Sequence, residues 1–205
     1  MIRVTLIVGL AVVFAVPARA GKYNAVLNIG DKAPAWTNLE GIDGKRHSLA
    51  DLADKDLVVV VFTCNSCPVA TDYEDRMIAF SKKYAGSGGK VALVAINVNR
   101  IAEDRLPMMK QRAQAKGFDF QYLYDETQNI GKVFGAAFTP EFFVLDGRRK
   151  VVYMGGMDDS SNIGTVKNRY LVPAVEAVLA GREPEVAEAP AIGCRVRYAR
   201  ERRGR

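Results

Sequence analysis

Two apolar runs, the first unbroken and the second interrupted only by Asn97, constrain the fold of this 205-residue chain more than any other feature, and an amphipathic segment separates them. The runs span residues 57–62 and 91–98, and neither alternates between apolar and polar side chains as a half-buried strand does. Such continuous runs are typical of strands that are covered by helices on both faces. The segment between them predicts a helix, because its apolar residues recur at steps of three and four: Val69, Tyr73, Met77, Phe80 and Tyr84. The sequence therefore predicts an α/β fold with parallel early strands.

The remaining segments extend this pattern to a mixed sheet. Short extended segments at 36–39 and 45–49 flank a turn-forming sequence and predict an N-terminal hairpin. The other predicted elements are helices over 105–116, 126–134 and 166–180, a strand over 120–124, and a hairpin of strands 141–146 and 150–154. Asp104 is a candidate N-cap for the first of these helices. We expect one α/β domain over residues 21–182: a mixed β-sheet flanked by helices, with an N-terminal β-hairpin extension.

Residues 1–20 have the features of a secretory signal peptide. A positive end is followed by an apolar run over residues 4–16 and by Ala18-Arg19-Ala20, which is typical of a cleavage site. A membrane anchor is the alternative, but the run is shorter than the about 20 residues that a transmembrane helix needs. We therefore expect cleavage after Ala20, export to the periplasm or another extracytoplasmic compartment, and no stable membrane insertion afterwards.

Residues 183–205 are predicted to form a flexible basic tail. Residues 183–193 are rich in Pro, Ala and Glu, and six arginines follow between positions 195 and 205. Cleavage of residues 1–20 would remove two arginines and no acid, so the formal charge of +6 would become +4. A basic tail can contact membranes or nucleic acid. Because an exported protein rarely meets nucleic acid, we expect no nucleic-acid partner.

Cys64 and Cys67 are the candidate catalytic residues. They lie at the junction between the first apolar run and the amphipathic helix, with Asn65 and Ser66 between them and Pro68 after them. The free N–H groups and the positive dipole end at a helix N-terminus stabilise a thiolate. A lowered thiol pKa gives both a well-populated nucleophile and a good leaving group. We therefore interpret the pair as a redox-active dithiol/disulfide.

Three other interpretations of the pair fit the sequence less well. A structural disulfide across so short a loop would constrain the unfolded chain little. A zinc site needs four ligands, and beyond the pair the chain offers only Cys194 and His47, which we expect on the surface of the N-terminal hairpin. Haem attachment needs a histidine where Pro68 stands. We therefore expect neither a metal nor another cofactor.

Cys64 and Cys67 after a buried strand, with Thr139-Pro140 before a later strand, resemble the thioredoxin-like superfamily. In that fold the proline is cis and its loop faces the cysteines. The resemblance therefore implies that Thr139 and Pro140 dock the substrate beside the sulfurs. Many thioredoxins also carry an acid six residues before the first cysteine, where this chain has Val58.

The opening of the domain narrows the resemblance to the alkyl hydroperoxide reductase/thiol-specific antioxidant (redoxin) branch. Residues 30–34 (Gly-Asp-Lys-Ala-Pro) and the following Asp-Gly-Lys hairpin are similar to that branch, and the resemblance covers about residues 29–181. Peroxiredoxins place proline seven and threonine three residues before the peroxide-reacting cysteine. If Cys67 is aligned with that cysteine, Val60 and Cys64 stand at these positions. This departure favours disulfide exchange over dedicated peroxide reduction.

The resemblance implies a thiol–disulfide oxidoreductase whose substrates are protein disulfides or dithiols. Reduced Cys64, at the exposed end of the motif, would attack to form a mixed disulfide, and Cys67 would resolve it. The alternative is a thiol peroxidase with antioxidant activity, in which Cys67 attacks peroxide and Cys64 or Cys194 resolves the sulfenic acid. A Sco-like copper-binding protein fits less well, because those proteins place three residues between their cysteines and use a further histidine.

Cys194 is the odd cysteine of the chain. In an exported protein such a residue could form a mixed disulfide, link a dimer or act as a resolving thiol. Gly193 and the flexibility predicted around it would let Cys194 reach the active pair. An incidental exposed thiol is an equally good interpretation. The uncharged residues Asn65 and Ser66 leave the direction of electron flow open.

Overall fold

The structure is a computed structural model that describes residues 21–86 and 88–200. The predicted signal peptide, residues 1–20, lies outside the described residues, as do Ser87 and residues 201–205. Within the described ranges, no helix is both long enough and apolar enough to cross a membrane.

Strands and helices follow one another along the chain much as the apolar pattern predicts. The strands are β1 (Leu39–Gly41), β2 (Arg46–His47), β3 (Leu57–Phe62), β4 (Val91–Asn97), β5 (Gln121–Tyr124), β6 (Phe138–Thr139), β7 (Glu141–Leu145), β8 (Val151–Gly155) and β9 (Cys194–Arg195). The helices are α1 (Pro68–Phe80), α2 (Leu106–Lys116), α3 (Asn129–Phe134) and α4 (Leu171–Leu179). A π-helical turn, Ser81–Ala85, continues α1, so the helical segment includes Tyr84 as the sequence predicts.

β3 lies inside a seven-stranded sheet with the order β2-β1-β5-β4-β3-β7-β8. It pairs in parallel with β4, which pairs in parallel with β5. The hairpin β7–β8 pairs antiparallel with β3 on the other side, and the hairpin β1–β2 pairs antiparallel with β5. The predicted mixed sheet is confirmed, with its parallel centre and its N-terminal hairpin.

Helices and loops cover both faces of the sheet, which explains the unbroken apolar run of β3. Successive side chains of a strand point to opposite faces. Val59 and Val61 pack in a cluster with side chains of α1, α2 and α4, whereas Val58 and Val60 pack on the other face with α3 and the N-terminal segment. Complete burial of a side chain of this kind stabilises the fold by about 1.5–3 kcal/mol. A polar residue on either face of β3 would therefore destabilise the fold, because it would be buried without a hydrogen-bond partner.

A buried ion pair fixes α1 against the loop that follows β8. Arg76 Nη1 lies 2.6 Å from Asp158 Oδ2, and the Tyr73 hydroxyl donates to Asp158 Oδ1 at 2.8 Å. The Arg76 guanidinium also lies over the Tyr73 ring, 3.6 Å from its centre. These contacts hold in place the helix whose N-terminus follows the two cysteines.

Polar loop residues explain where the helix boundaries differ from the predicted ones. α2 begins at Leu106, and Asp104 is not its N-cap, because the buried Asp104 carboxylate accepts hydrogen bonds from Ser66 and Asn99 instead. α3 begins later than predicted, since the Asp125 carboxylate caps it by accepting two backbone N–H groups of its first turn. α4 is also shorter than predicted.

The C-terminal segment is not a flexible tail in its described part, residues 183–200, which corrects the prediction. Met154 on β8 accepts a hydrogen bond from Ala189 and donates one to Ala187, and β9 then pairs antiparallel with β6. Edge strands expose unpaired backbone groups that a neighbouring segment can satisfy. The composition of the segment does not predict this pairing, because the pairing depends on the free backbone groups of β8 and β6 that the segment contacts. We call residues 187–199 the C-terminal strap.

The ion pair behind α1 predicts a large loss of stability when one partner is neutralised. Asp158→Asn leaves the buried Arg76 charge uncompensated, so the free energy of unfolding should fall by about 3–5 kcal/mol. Asp75→Asn is the matched control, because exposed Asp75 pairs with Lys116 and should contribute about 0–1 kcal/mol. Urea unfolding of both variants measures the difference, and equal losses would contradict the role of this ion pair.

Candidate active site

Cys67 caps the N-terminus of α1. The helix begins at Pro68, where a missing N–H costs nothing, and the Cys67 backbone is extended (φ −90°, ψ 115°), as an N-cap requires. Its sulfur accepts a hydrogen bond from the Ala70 N–H at 3.3 Å. An anionic sulfur in this position gains from that hydrogen bond and from the helix dipole. The local backbone therefore favours a thiolate at Cys67.

The loop before β7 faces both cysteines. Because β7 pairs with β3, the loop that precedes β7 lies beside the segment that follows β3. The peptide bond between Thr139 and Pro140 in this loop is cis, as the resemblance implies. The Thr139 carbonyl oxygen lies 3.2 Å from the Cys67 sulfur, and the Thr139 hydroxyl lies 3.6 Å from the Cys64 sulfur. The structure thus brings together the four predicted site residues on these two segments.

A third cysteine reaches this cluster from the C-terminal strap. Cys194 lies opposite Thr139 in the β6–β9 pair, and its carbonyl oxygen accepts a hydrogen bond from the Thr139 hydroxyl at 3.4 Å. Its side chain packs against the cluster that Cys64 and Cys67 form. All three cysteines are thiols in this structure, and they pack around Ala70. Cys194 therefore lies beside the pair because a strand holds it there.

Both members of the pair are buried, which corrects the prediction that Cys64 is exposed. The exposed fraction is 3% for Cys64 and 2% for Cys67. Cys64 lies in the loop between β3 and α1, where the hydroxyl groups of Thr139 and Ser66 approach its sulfur at 3.6 and 3.7 Å. The helix begins after Cys67, so it is Cys67 that meets the N-terminal N–H groups.

Hydrogen bonds among the sulfurs shift their pKa values in opposite directions. The hydrogen bond from Cys64 lowers the pKa of Cys67, with help from Cys194, Thr139 and the Ala70 N–H, and these contacts outweigh burial. The hydrogen bond to Cys67, together with burial, raises the pKa of Cys64. The pKa of Cys194 is raised for the same two reasons. These shifts favour ionisation of Cys67 over that of Cys64 or Cys194.

Asp104 fixes Ser66, one of the two residues between the cysteines, and sequence reasoning assigned Asp104 another role. Its carboxylate accepts from the Ser66 N–H at 2.9 Å and from the Ser66 hydroxyl at 2.6 Å. The Asn65 side chain donates to the Glu103 carbonyl at 2.8 Å and accepts from the Tyr122 hydroxyl at 3.1 Å. A signal was present in the sequence, since polar residues follow the second buried strand closely. Parallel strands end at the same edge of the sheet, so those residues meet the cysteine loop.

His47 and Val58 lie where they cannot act on the pair. His47 is on β2, which three strands separate from β3, and its Nε2 lies 3.0 Å from the Asp43 carboxylate. Among the described residues, no group of three or more His, Cys, Asp or Glu side chains is arranged to hold a metal ion. Val58 is completely buried in the sheet. At that position the strand therefore offers no carboxylate to take up a thiol proton.

Comparisons with known proteins identify relatives that share most of this chain. A family model described as Redoxin matches residues 28–169. A hypothetical protein from Sinorhizobium meliloti 1021 is 33% identical; the match covers 86% of this chain and 97% of that chain, with a TM-score of 0.78. An uncharacterized conserved protein from Geobacillus kaustophilus is 32% identical, with 87% and 96% covered and a TM-score of 0.80.

A more distant structure shares the fold. A thiol:disulfide interchange protein of the thioredoxin family from Chlorobium tepidum TLS is 24% identical. The match covers 67% of this chain and 92% of that chain, with a TM-score of 0.53. Comparison with curated protein sequences gives no match. The fold of this chain is thioredoxin-like.

The hydrogen bonds of Cys67 predict one thiol that ionises at unusually low pH. A lowered pKa leaves Cys67 charged at pH values at which an ordinary thiol, with a pKa of about 8.5, is protonated. In a titration of the reduced protein followed by ultraviolet thiolate absorbance, one thiolate should form on the acid side of that value. Cys67→Ser should abolish this step.

Cys64→Ala tests the cause of that shift. The substitution removes the strongest hydrogen bond to the Cys67 sulfur, so the first midpoint should move upward, toward the pKa of an ordinary thiol. A first midpoint that stays where it is in wild type would show that Cys64 does not stabilise the thiolate.

Proposed function

The chain belongs to the Redoxin family, and we propose that it is a thiol–disulfide oxidoreductase in which Cys67 and Cys64 alternate between dithiol and disulfide. The observation that carries this proposal is the position of the Cys67 sulfur. It caps α1 by accepting from the Ala70 N–H, and its contact with Cys64 lowers its pKa, whereas the Thr139 carbonyl accepts only from the protonated thiol. A sulfur stabilised in this way is both a nucleophile and a leaving group, as exchange requires in its two directions.

The exchange begins when the Cys67 thiolate attacks one sulfur of a substrate disulfide. A bond forms between Cys67 and that sulfur, and the other substrate sulfur leaves as a thiolate that takes a proton from solvent. Cys64 then loses its proton and attacks the Cys67 sulfur. This releases the second substrate thiol and leaves a Cys64–Cys67 disulfide. The substrate gains the two electrons that the dithiol loses, and the reverse sequence oxidises a substrate dithiol.

This order of attack reverses the roles that the sequence suggested for the two cysteines. In the dithiol, the contact with Cys67 raises the pKa of Cys64, so Cys64 stays protonated. Formation of the mixed disulfide consumes the Cys67 charge and removes the main cause of that shift. Cys64 therefore becomes easier to ionise at the step in which it must attack.

β6 supplies the edge on which a polypeptide substrate would dock. The hydroxyl of Thr139 faces Cys64 and its carbonyl faces Cys67, and Pro140 turns the chain into β7. Addition of an extended segment to an exposed strand edge is a common mode of peptide recognition. A segment that paired with β6 in place of the C-terminal strap would carry its own cysteine beside Cys67. Thr139 and Pro140 thus act in docking, and we propose protein disulfides or dithiols as substrates.

The proposal extends to the compartment in which the protein works. The charge and apolar pattern of residues 1–20 supports export, and disulfides persist in oxidising compartments outside the cytoplasm. A substrate with a disulfide is common there.

A thiol peroxidase is the second candidate, and the N-cap position of Cys67 is the observation that favours it. With Pro68 at the first helical position, a thiolate at Cys67 could attack a peroxide and become a sulfenic acid, which Cys64 would resolve with release of water. Against this candidate, the positions of the peroxiredoxin proline and threonine hold Val60 and Cys64. Val60 is buried within β3 and offers no polar group to a peroxide.

Oxidised glutathione and reduced full-length protein test the exchange. Cys67→Ser should slow glutathione release by at least about 10³-fold, because a serine hydroxyl does not ionise in this range. The double variant Cys64→Ser/Cys194→Ser should react once and stop as a glutathione adduct on Cys67, seen by intact mass and peptide mapping. Retained exchange in Cys67→Ser would overturn the proposal.

Hydrogen peroxide distinguishes the two candidates. Because the threonine and proline of peroxiredoxins are missing, the reduced protein should react with peroxide no faster than a small-molecule thiol of similar pKa. The decay of peroxide under excess protein measures this rate, with Cys67→Ser as the control. A rate far above that of the small thiol, and lost in Cys67→Ser, would make peroxide reduction the function.

A further inference from the structure

The C-terminal strap occupies the edge on which a substrate is proposed to dock. β9 pairs antiparallel with β6, with Cys194 opposite Thr139 and Arg195 opposite Phe138. The pairing continues through the Val196 N–H, which donates to the Ala137 carbonyl at 3.0 Å. The strap is therefore bound in the extended conformation that β6 would require of a polypeptide substrate.

Buried polar side chains hold the strap through its backbone. Gln128 donates to the Arg197 carbonyl at 3.0 Å and accepts from the Ala199 N–H at 2.7 Å. Asn99 accepts from the Arg197 N–H at 3.1 Å. Gln128 and Asn99 are almost completely buried, so departure of the strap would leave their oxygens without these donors. Gln128 and Asn99 thus form a binding site for the backbone of an extended chain.

Gly193 allows the close approach that the pairing needs. A Cβ atom at this position would overlap the carbonyl oxygen of Thr139 and lie 3.2 Å from the Pro140 nitrogen. Any larger residue before Cys194 would therefore push the strap off the loop that faces the cysteines. The site accepts a cysteine that is preceded by glycine.

We propose that the strap is bound as a substrate is bound. Cys194 takes the place of the substrate cysteine and forms a disulfide with Cys67. The edge of β6 therefore selects segments in which glycine precedes the cysteine. This inference rests on the proposed exchange activity and extends it to a third catalytic sulfur. The supporting contacts are the packing of Cys194 against the cysteine pair, its pairing opposite Thr139 and the fit of Gly193 against Thr139. An external polypeptide would reach Cys67 by displacing the strap from β6.

The chemical step uses a substrate disulfide as its oxidant. The Cys67 thiolate attacks this disulfide, forms a mixed disulfide and releases one substrate thiolate. Cys194 loses its proton to solvent, and its sulfur attacks the Cys67 sulfur, which releases the second substrate thiolate. A Cys67–Cys194 disulfide is formed, and the two electrons lost by the cysteines are gained by the substrate.

The test uses the full-length Cys64→Ser variant, which keeps only Cys67 and Cys194. One equivalent of oxidised glutathione should convert it to an intramolecular Cys67–Cys194 disulfide, identified by intact mass and peptide mapping. Adding Gly193→Ala should slow formation of this disulfide about tenfold or more, because strap docking sets the effective concentration of Cys194. Gly147→Ala is the matched control, since a Cβ there meets only an ordinary contact at 3.5 Å.

The outcomes separate this inference from the proposed function. A glutathione adduct that persists on Cys67 in Cys64→Ser would overturn the role of Cys194 and leave the Cys64–Cys67 exchange intact. No reaction of wild-type protein with oxidised glutathione would overturn the exchange itself.

A second measurement does not depend on the Cys64→Ser variant. In the otherwise wild-type chain, Gly193→Ala should speed alkylation of the buried Cys67 about tenfold or more, because the strap no longer covers it. An unchanged rate would overturn the docking of the strap on β6.

Discussion

The structure of the site depends on one constraint: α1 begins immediately after Cys67, so the sulfur of this residue must serve as the helix N-cap. Pro68 cannot donate a backbone hydrogen bond, and the Ala70 N–H is satisfied by the Cys67 sulfur. The buried ion pair of Arg76 with Asp158 keeps the helix from turning away from this position. Because the Cys67 sulfur is the one that lies at the N-terminus of α1, the thiolate is favoured at Cys67 and not at the other two cysteines.

The cysteines are buried, yet a substrate must reach them. The C-terminal strap is the segment that would have to move to give that access. The strap covers the pair and completes the hydrogen bonding of β6, Asn99 and Gln128. It also presents a cysteine to Cys67 in the arrangement that a substrate would need. By binding its own segment at β6, the chain excludes water from the thiolate. A partner must then bind β6 tightly enough to displace the strap.

Much of the fold could be predicted from the sequence, because β3 and β4 are almost entirely apolar and the apolar residues of α1 recur with a clear helical period. The cysteine pair and Thr139-Pro140 could be named as candidate site residues, because the motif and the order of these segments are visible in the sequence. The burial of Cys64, the role of Asp104 and the path of the strap could not be predicted. Each depends on which segments meet across the end of the sheet, and composition carries no information about that. The strap was misjudged because its Pro, Ala and Arg content is typical of a mobile tail.

The central claim is that Cys67, and not Cys64 or Cys194, holds the reactive thiolate. The most direct measurement treats reduced wild-type protein with less than one equivalent of iodoacetamide at a pH well below the ordinary thiol pKa of about 8.5. Peptide mapping then locates the label. The account predicts that Cys67 carries it, although Cys194 is the more exposed residue. Preferential labelling of Cys64, or labelling that follows exposure and falls on Cys194, would contradict the account.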